Sequence, residues 1–286
     1  MEKLKLGITT DCVCDLPQKT LKECHIDLIP FHIETDYGRF EDLAEVTSDN
    51  ILEYIDSGHK ALSIAPSIKE YQLFFEKELT KYERVLHITI SSGLSEAYDN
   101  ACLALSSFED KVIVIDSHHL STGMGHLLLR AVQLKDAGKE IEVIQDELLK
   151  MRNRISTSFI AYSADYLFYN DKISKNIAAL CRYFKIHPIL KIAKDGRMVL
   201  GGFHMGSYEE AANRYIAHQL KHHKYIDRSC LFITHAGCST KLLRKVRDKV
   251  EKYNCVDNIQ ITTASATVSC NCGPNTFGLL FVQTDH

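Results

Sequence analysis

Two hydrophobic rhythms alternate along the first half of the chain. Leu4 to Thr10 is a short apolar run of strand length, and Ile26 to Ile33, Val85 to Ile90 and Val112 to Asp116 repeat it. Between these runs the apolar residues recur at helical spacing. Pro17 opens one such stretch. Ser67-Ile68-Lys69-Glu70 is a capping box, and Tyr71, Phe74, Phe75 and Leu79 form a single helical face behind it. Helices are also predicted from Ser95 to about Leu105, over Ser121 to Asp136, and over Glu140 to Met151, the last two parted by Gly138. Strands that alternate with helices require crossover connections, and so a parallel sheet flanked by helices.

The second half keeps strands but loses the strict alternation. Phe159 to Ala164, Ile189 to Ala193, Met198 to Gly201, Cys230 to Thr234, Ile259 to Thr263 and Phe277 to Val282 all read as strands. Helices are expected at Tyr208 to His222 and Thr240 to Tyr253, and Lys194-Asp195-Gly196-Arg197 reads as a hairpin turn. The fold class is therefore α/β with two domains. Residues 1–153 form an N-terminal parallel sheet flanked by helices, and residues 154–286 form a C-terminal α/β domain with a mixed sheet. The boundary falls near Met151 to Ser156, where no Pro-, Gly- or Ser-rich linker marks it.

Composition narrows the function. With 34 basic and 37 acidic side chains and a net charge of −3, nothing points to a nucleic-acid partner. No apolar run approaches a membrane span, and Met1-Glu2-Lys3-Leu4-Lys5 has no signal-peptide core, so a cytoplasmic protein is expected. The ten cysteines are scattered along a chain long enough to fold without staples. Two Cys-x-Cys pairs, Cys12/Cys14 and Cys270/Cys272, could bind zinc if they faced each other. Structural zinc sites favour Cys-x-x-Cys, and alternate residues of an extended segment share a face for packing reasons alone, so reduced thiols are the expectation. No cofactor is implied.

The candidate chemistry lies in hydroxyls at helix mouths. Ser91, Ser92 and Ser95 follow the Val85–Ile90 strand, at the carboxyl end where open α/β sheets bind ligands. Ser95 reads as the N-cap of the next helix, Ser67 caps another, and Ser63 sits in the loop that enters it. Two such mouths brought together would hold a small anion such as a carboxylate or phosphate. Capping alone is the plainer account of each serine. A hydrolase built from Ser95, a cleft histidine and Asp116 is the rival from another class. It lacks the Gly-x-Ser-x-Gly elbow, and neither a His-Glu-x-x-His motif nor a Walker loop is present. His118 and His119, after Asp116-Ser117, and His235, before Gly237, could line a cleft, but a structural role is the simpler reading.

These motifs, in this order, resemble the DegV family of bacterial fatty-acid-binding proteins. Asp11-Cys12-Val13-Cys14-Asp15-Leu16-Pro17 is similar to the family's Asp-Ser-x-x-Asp-Leu-Pro opening, followed by Ile29-Pro30-Phe31 for its Val-Pro-Leu. Ser63-Ile64-Ala65-Pro66-Ser67 stands where the family has Thr-Ser-Gln-Pro-Ser, and Ser91 to Ala101 matches its Ser-Ser-x-Leu-Ser-Gly-Thr-Tyr-x-x-Ala stretch. Asp116-Ser117 with Ser121, Gly123 and Gly125, then Ile186-His187-Pro188-Ile189-Leu190, the Asp195-Gly196 turn and Gly273-Pro274 extend the likeness over nearly the whole chain.

The resemblance implies a two-domain carrier, without catalytic activity of its own, that encloses one long acyl chain. It further implies presentation of that fatty acid to a separate kinase subunit. By position, Ser63 and Ser95 would hold the carboxylate, with Asn271 and Lys172 as flanking polar contacts. The departures cluster at the head-group motifs. Gly-Thr after the key serine is Glu96-Ala97, Gly-Gly-Arg-Ile-Ser is Asn170-Asp171-Lys172-Ile173-Ser174, and the late His-x-Gly-Pro-Gly is Asn271-Cys272-Gly273-Pro274-Asn275. A carrier of another small anion is the alternative those changes leave open.

Overall fold

The computed structural model describes residues 3–108, 110–166 and 174–284. In chain order the first half holds β1 (Leu4–Asp11), α1 (Gln18–Glu23), β2 (Ile26–Ile29), β3 (His32–Thr35), β4 (Gly38–Glu41), α2 (Ser48–Asp56), β5 (Leu62–Ile64), α3 (Ile68–Lys81), β6 (Tyr82–Thr89), α4 (Ala97–Ala104), β7 (Val112–Asp116), α5 (Thr122–Asp136) and α6 (Ile141–Met151). The second half holds β8 (Ile155–Ile160), α7 (Lys175–Tyr183), β9 (Ile186–Ile192), β10 (Met198–Met205), α8 (Tyr208–Gln219), β11 (Ile226–Ala236), α9 (Thr240–Glu251), β12 (Ile259–Thr263), α10 (Ala266–Cys272) and β13 (Thr276–Gln283).

Strands β2-β1-β6-β7 form a parallel sheet, as the alternation predicts. Strands β10-β9-β8-β13-β11-β12 form the mixed sheet. Its β11–β12 pair is parallel and the other pairings are antiparallel. The Lys194–Arg197 hairpin joins β9 to β10, closed by the Gly196 N–H to Ala193 and the Ala193 N–H to Arg197.

Three expectations are corrected. The run Ile26–Ile33 is two strands, not one. Pro30 has no N–H to donate to a ladder, so the chain leaves the parallel sheet there and β3 joins a small antiparallel sheet, β4-β3-β5. Cys270 and Cys272 lie on helix α10, not on an extended segment, so two residues apart they point to different sides. Cys12 and Cys14 sit in a 3₁₀ turn after β1. The described residues contain no group of side chains arranged to hold a metal, and all ten cysteines are free thiols.

Helix α5 joins the two large sheets. It packs against β1 and β6 on one side and β8 and β13 on the other, and it is buried almost all round from Thr122 to Leu134. A helix whose first three turns are buried on most sides belongs in an interior, with Gln133 and the edge of Arg130 reaching solvent. Two glycines permit the close approach. A Cβ on Gly123 would lie 2.4 Å from Thr157 Oγ1 of β8, and one on Gly125 would lie 2.9 Å from Leu16. Met124, Leu127 and Leu128 share one continuous core with Phe159, Phe232 and Leu280 of the mixed sheet.

Candidate functional site

The carboxyl ends of β1, β6 and β7 gather a set of small polar groups. Asp11, at the end of β1, is buried. Its Oδ1 accepts from Tyr71 Oη at 2.7 Å and faces His87 Nε2 at 3.3 Å, and its Oδ2 accepts from the Ile90 N–H at 2.7 Å. That last bond fixes where β6 gives way to the serine loop. Ser91 donates its hydroxyl to the Gly196 carbonyl at 2.9 Å, so the β9–β10 turn is seated on this loop. His118 Nδ1, 3.0 Å from the Lys194 carbonyl, fastens the same turn from the β7 side. Gly196 has φ +81°, and a Cβ there would lie 2.1 Å from Ser91 Oγ, so the turn needs glycine on both counts.

Ser92 is committed to Asp116. Its hydroxyl donates to Oδ2 at 2.5 Å and its N–H to Oδ1 at 3.3 Å, while the His118 N–H donates to the same Oδ1 at 2.9 Å. Ser95 is half-buried and stands one residue ahead of the helix cap, which is Glu96. Its hydroxyl accepts the Ala97 N–H at 3.2 Å. No imidazole among the described residues hydrogen-bonds Ser95, and Asp116 is already occupied, so the nucleophile–base–orienter set imagined for a hydrolase does not assemble. His119 is buried between Thr157 and the Arg152 carbonyl, and burial lowers its pKa to about 4. It is a structural histidine.

The second junction depends on a helix from the far end of the chain. Ser63, on β5, accepts a hydrogen bond from Asn271 Nδ2 at 3.0 Å, across 208 positions. Asn271 is at the C-terminal end of α10, and the N-terminal end of that helix is clasped by carboxyl groups of the first half. Asp42 Oδ1 and Oδ2 accept from the Ala266 and Thr267 N–H groups at 2.9 and 2.8 Å, and Asp15 Oδ1 accepts from the Ser265 N–H at 2.8 Å. Ser48 and Ser269 add a hydroxyl pair at 2.6 Å. Burial pushes Asp15 up to about 7 and raises Asp42 as well. Asp15 Oδ2 and the nearby Ser121 hydroxyl are both buried without a hydrogen bond of good geometry.

The two junctions are linked directly, because Asn100 of α4 donates to the Pro66 carbonyl at 3.0 Å. The structure thus brings Ser63 and Asn271 into contact and ties their loop to the helix behind Ser95. Lys172 lies outside the described residues. Sequence reasoning named Asp11 only as the first residue of the opening motif, and it missed Asp42 and Asn100 as site residues. Asp42 gives no local signal, since the helix it caps is more than 220 positions away. Two open grooves, of 230 and 300 Å³, run along α8, α9 and the start of β12 rather than near Ser63.

An open parallel sheet with polar side chains collected at its carboxyl edge, with a hairpin turn seated on the serine loop and a returning helix on Ser63, defines an α/β protein of the open-sheet class. The DegV family profile, described as an uncharacterised protein family, matches residues 5–284, and this chain belongs to that family. A DegV domain-containing protein of Clostridium perfringens is 31% identical over 208 residues, spanning 71% of this chain and 72% of that protein. Among solved structures, a DegV family protein from Thermus thermophilus, described for its fatty acid binding, superposes with a TM-score of 0.88 at 23% identity. The match covers 98% of this chain and 100% of that one. A DegV family protein from Eubacterium eligens loaded with heptadecanoic acid gives a TM-score of 0.84 at 19% identity over 98% of this chain and 100% of the other. At these identities the structural likeness establishes the fold.

Proposed function

We propose that this chain is a carrier that binds one long-chain fatty acid by its carboxyl group at Ser63 and Ser95. Asn271 and Lys172 are the flanking contacts, and the tail lies between residues 1–153 and residues 154–286. The observation that carries the reading is the Asn271–Ser63 hydrogen bond. It joins a residue of the second half to the hydroxyl motif of the first, on β5 of the small antiparallel sheet, just ahead of the loop tied to α4 by the Asn100–Pro66 bond. The solved relatives described with fatty acids support the choice of ligand.

Energetics favour a greasy guest over a bare anion. Burying a long acyl tail is worth about 0.8 kcal/mol per CH₂, or roughly 10 kcal/mol gross before ordering costs, so the hydroxyls need only orient the head. We place the tail against the apolar core that α5 shares with both sheets. The protein performs no chemistry itself. It works in the cytoplasm and presents the exposed carboxyl group to a separate kinase subunit for phosphorylation.

Organic extraction of freshly purified protein, followed by mass analysis, tests this reading. One equivalent of a long-chain acid is the expected yield, with no turnover of an activated acyl ester. Ester hydrolysis that is lost in Ser95→Ala would replace the carrier with an enzyme.

A further inference from the structure

The hydrogen-bond polarity of the Ser63–Asn271 pair is fixed by a third group. The Asn271 side-chain atom 2.8 Å from the Thr267 carbonyl must be the amide nitrogen, because a carbonyl can only accept. The same nitrogen lies 3.0 Å from Ser63 Oγ and 3.4 Å from Cys270 Sγ, and its second hydrogen goes to the serine oxygen, the stronger acceptor of the two. Two consequences follow. Ser63 is an acceptor toward Asn271, and its own proton is left for another partner; at present it is shared with the Cys270 sulfur, a weak acceptor. Asn271 Oδ1 has no hydrogen-bond partner among the described residues, and Asn271 is exposed.

A site with one donor held only by a weak sulfur acceptor and one adjacent acceptor open to solvent does not match a carboxylate, whose oxygens only accept. It matches a group that accepts at one atom and donates at the next. We infer that the Ser63–Asn271 pair takes an uncharged head group, either a fatty acid in its protonated form or a primary acyl amide, an inference that rests on the carrier reading above. Ser63 donates to the ligand carbonyl, the ligand O–H or N–H donates to Asn271 Oδ1, and the Asn271 N–H donates back to Ser63. The ring of hydrogen bonds closes in one direction, and each bond strengthens the next. A carboxylate in the same place would set its second oxygen against the lone pairs of Oδ1.

The surroundings also disfavour negative charge. Cys270, beside Ser63, is pushed up to about 12 by burial and by Asp42, so an anion at this point is penalised. The elements packed against α10 carry His32 on β3, Asp49 on α2 and His235 on β11. Glu70 of α3 bonds to His32 and is also paired with Arg39. Glu96 stands at the start of α4.

Equilibrium binding of hexadecanoic acid, hexadecanamide and methyl hexadecanoate, at about pH 6 and about pH 8, tests the assignment. Free carboxyl groups ionise near pH 4–5, so a site for the neutral acid should weaken toward hexadecanoic acid about 100-fold between those two conditions. Hexadecanamide should bind equally at both, and the methyl ester, which has no hydrogen for Oδ1, should bind at least about tenfold more weakly than the amide. Asn271→His, which can place an N–H or a cation where Oδ1 stands, should flatten the pH slope for the acid and reduce amide binding. Acid affinity independent of pH together with rejection of the amide would overturn the inference and leave the carrier reading intact. An unchanged slope and unchanged amide affinity in Asn271→His would also overturn it. Failure of all three ligands at both pH values would remove the carrier reading itself.

Discussion

The two loop-to-helix junctions are built in opposite ways. At the start of α3, Ser67 and Glu70 satisfy each other. The Glu70 carboxylate accepts the Ser67 N–H at 2.7 Å, and the Ser67 hydroxyl accepts the Glu70 N–H at 3.3 Å, so the helix mouth is closed by its own capping box. Its contribution to a ligand is the upstream hydroxyl of Ser63. At the start of α4, Glu96 occupies the cap position without a capping hydrogen bond, and Ser95 serves only the Ala97 N–H. The first junction is held by a distant helix and two buried acids, Asp15 and Asp42. The second is held by neighbours on its own sheet, Asp11 and Asp116. Helix-capping serines and ligand-holding serines can therefore look alike in sequence and differ in what their hydroxyls still have to give.

Substitutions can break this contrast, and the largest effect belongs to Asp42. Asp42→Ala strands two buried N–H groups of α10, and at roughly 1–3 kcal/mol each the loss should reach about 2–6 kcal/mol in urea unfolding. Helix α10, and Asn271 with it, should loosen from Ser63, while the Ser91 loop keeps its bonds. Gly196→Val tests the other side. A Cβ at φ +81° and 2.1 Å from Ser91 Oγ should cost about 1–3 kcal/mol and lift the turn, so that trypsin cuts faster at Lys194 and Arg197, which are exposed but held in the turn.

The pH response of Asp15 sharpens the contrast further. Its folded-state pKa, about 7, lies above the ordinary value of 3.8, so the folded protein holds this proton more tightly than the unfolded chain. The stability it contributes is complete below the unfolded value and is lost as pH rises through the folded one. Between about pH 6 and about pH 8 the wild type should lose roughly 1 kcal/mol, and Asp15→Asn, which needs no proton, should abolish that slope in parallel unfolding curves. The smallest effects on stability come from the serines. Ser67→Ala should cost about 1 kcal/mol and leave lipid retention unchanged. Ser95→Ala should shift stability by less than about 0.5 kcal/mol and weaken retention.

The same contrast explains what was legible in the sequence. The Ser91–Ala97 junction follows a strongly apolar strand and precedes a regular helix, so its position at the sheet edge could be read locally. The capping box at Ser67 was legible for the same reason. The resemblance named Ser63 and Asn271, but their contact was not legible locally, because its geometry comes from α10, whose sequence Ala266-Thr267-Val268-Ser269-Cys270-Asn271-Cys272 mixes small polar and β-branched residues with little helical signal. That helix exists because Ser265, Asp15 and Asp42 meet its first N–H groups, and two of the three come from the other end of the chain. The break at Pro30 was written in the sequence, but the β-branched run around it masked the change of sheet.

The central claim is that Ser63 and Ser95 jointly hold the head of one acyl chain, and native mass spectrometry of the gently purified protein beside the Ser63→Ala/Ser95→Ala variant tests it most directly. The wild type should carry the mass of a single fatty acid and the folded variant should carry none. Equal lipid in both proteins would contradict the assignment.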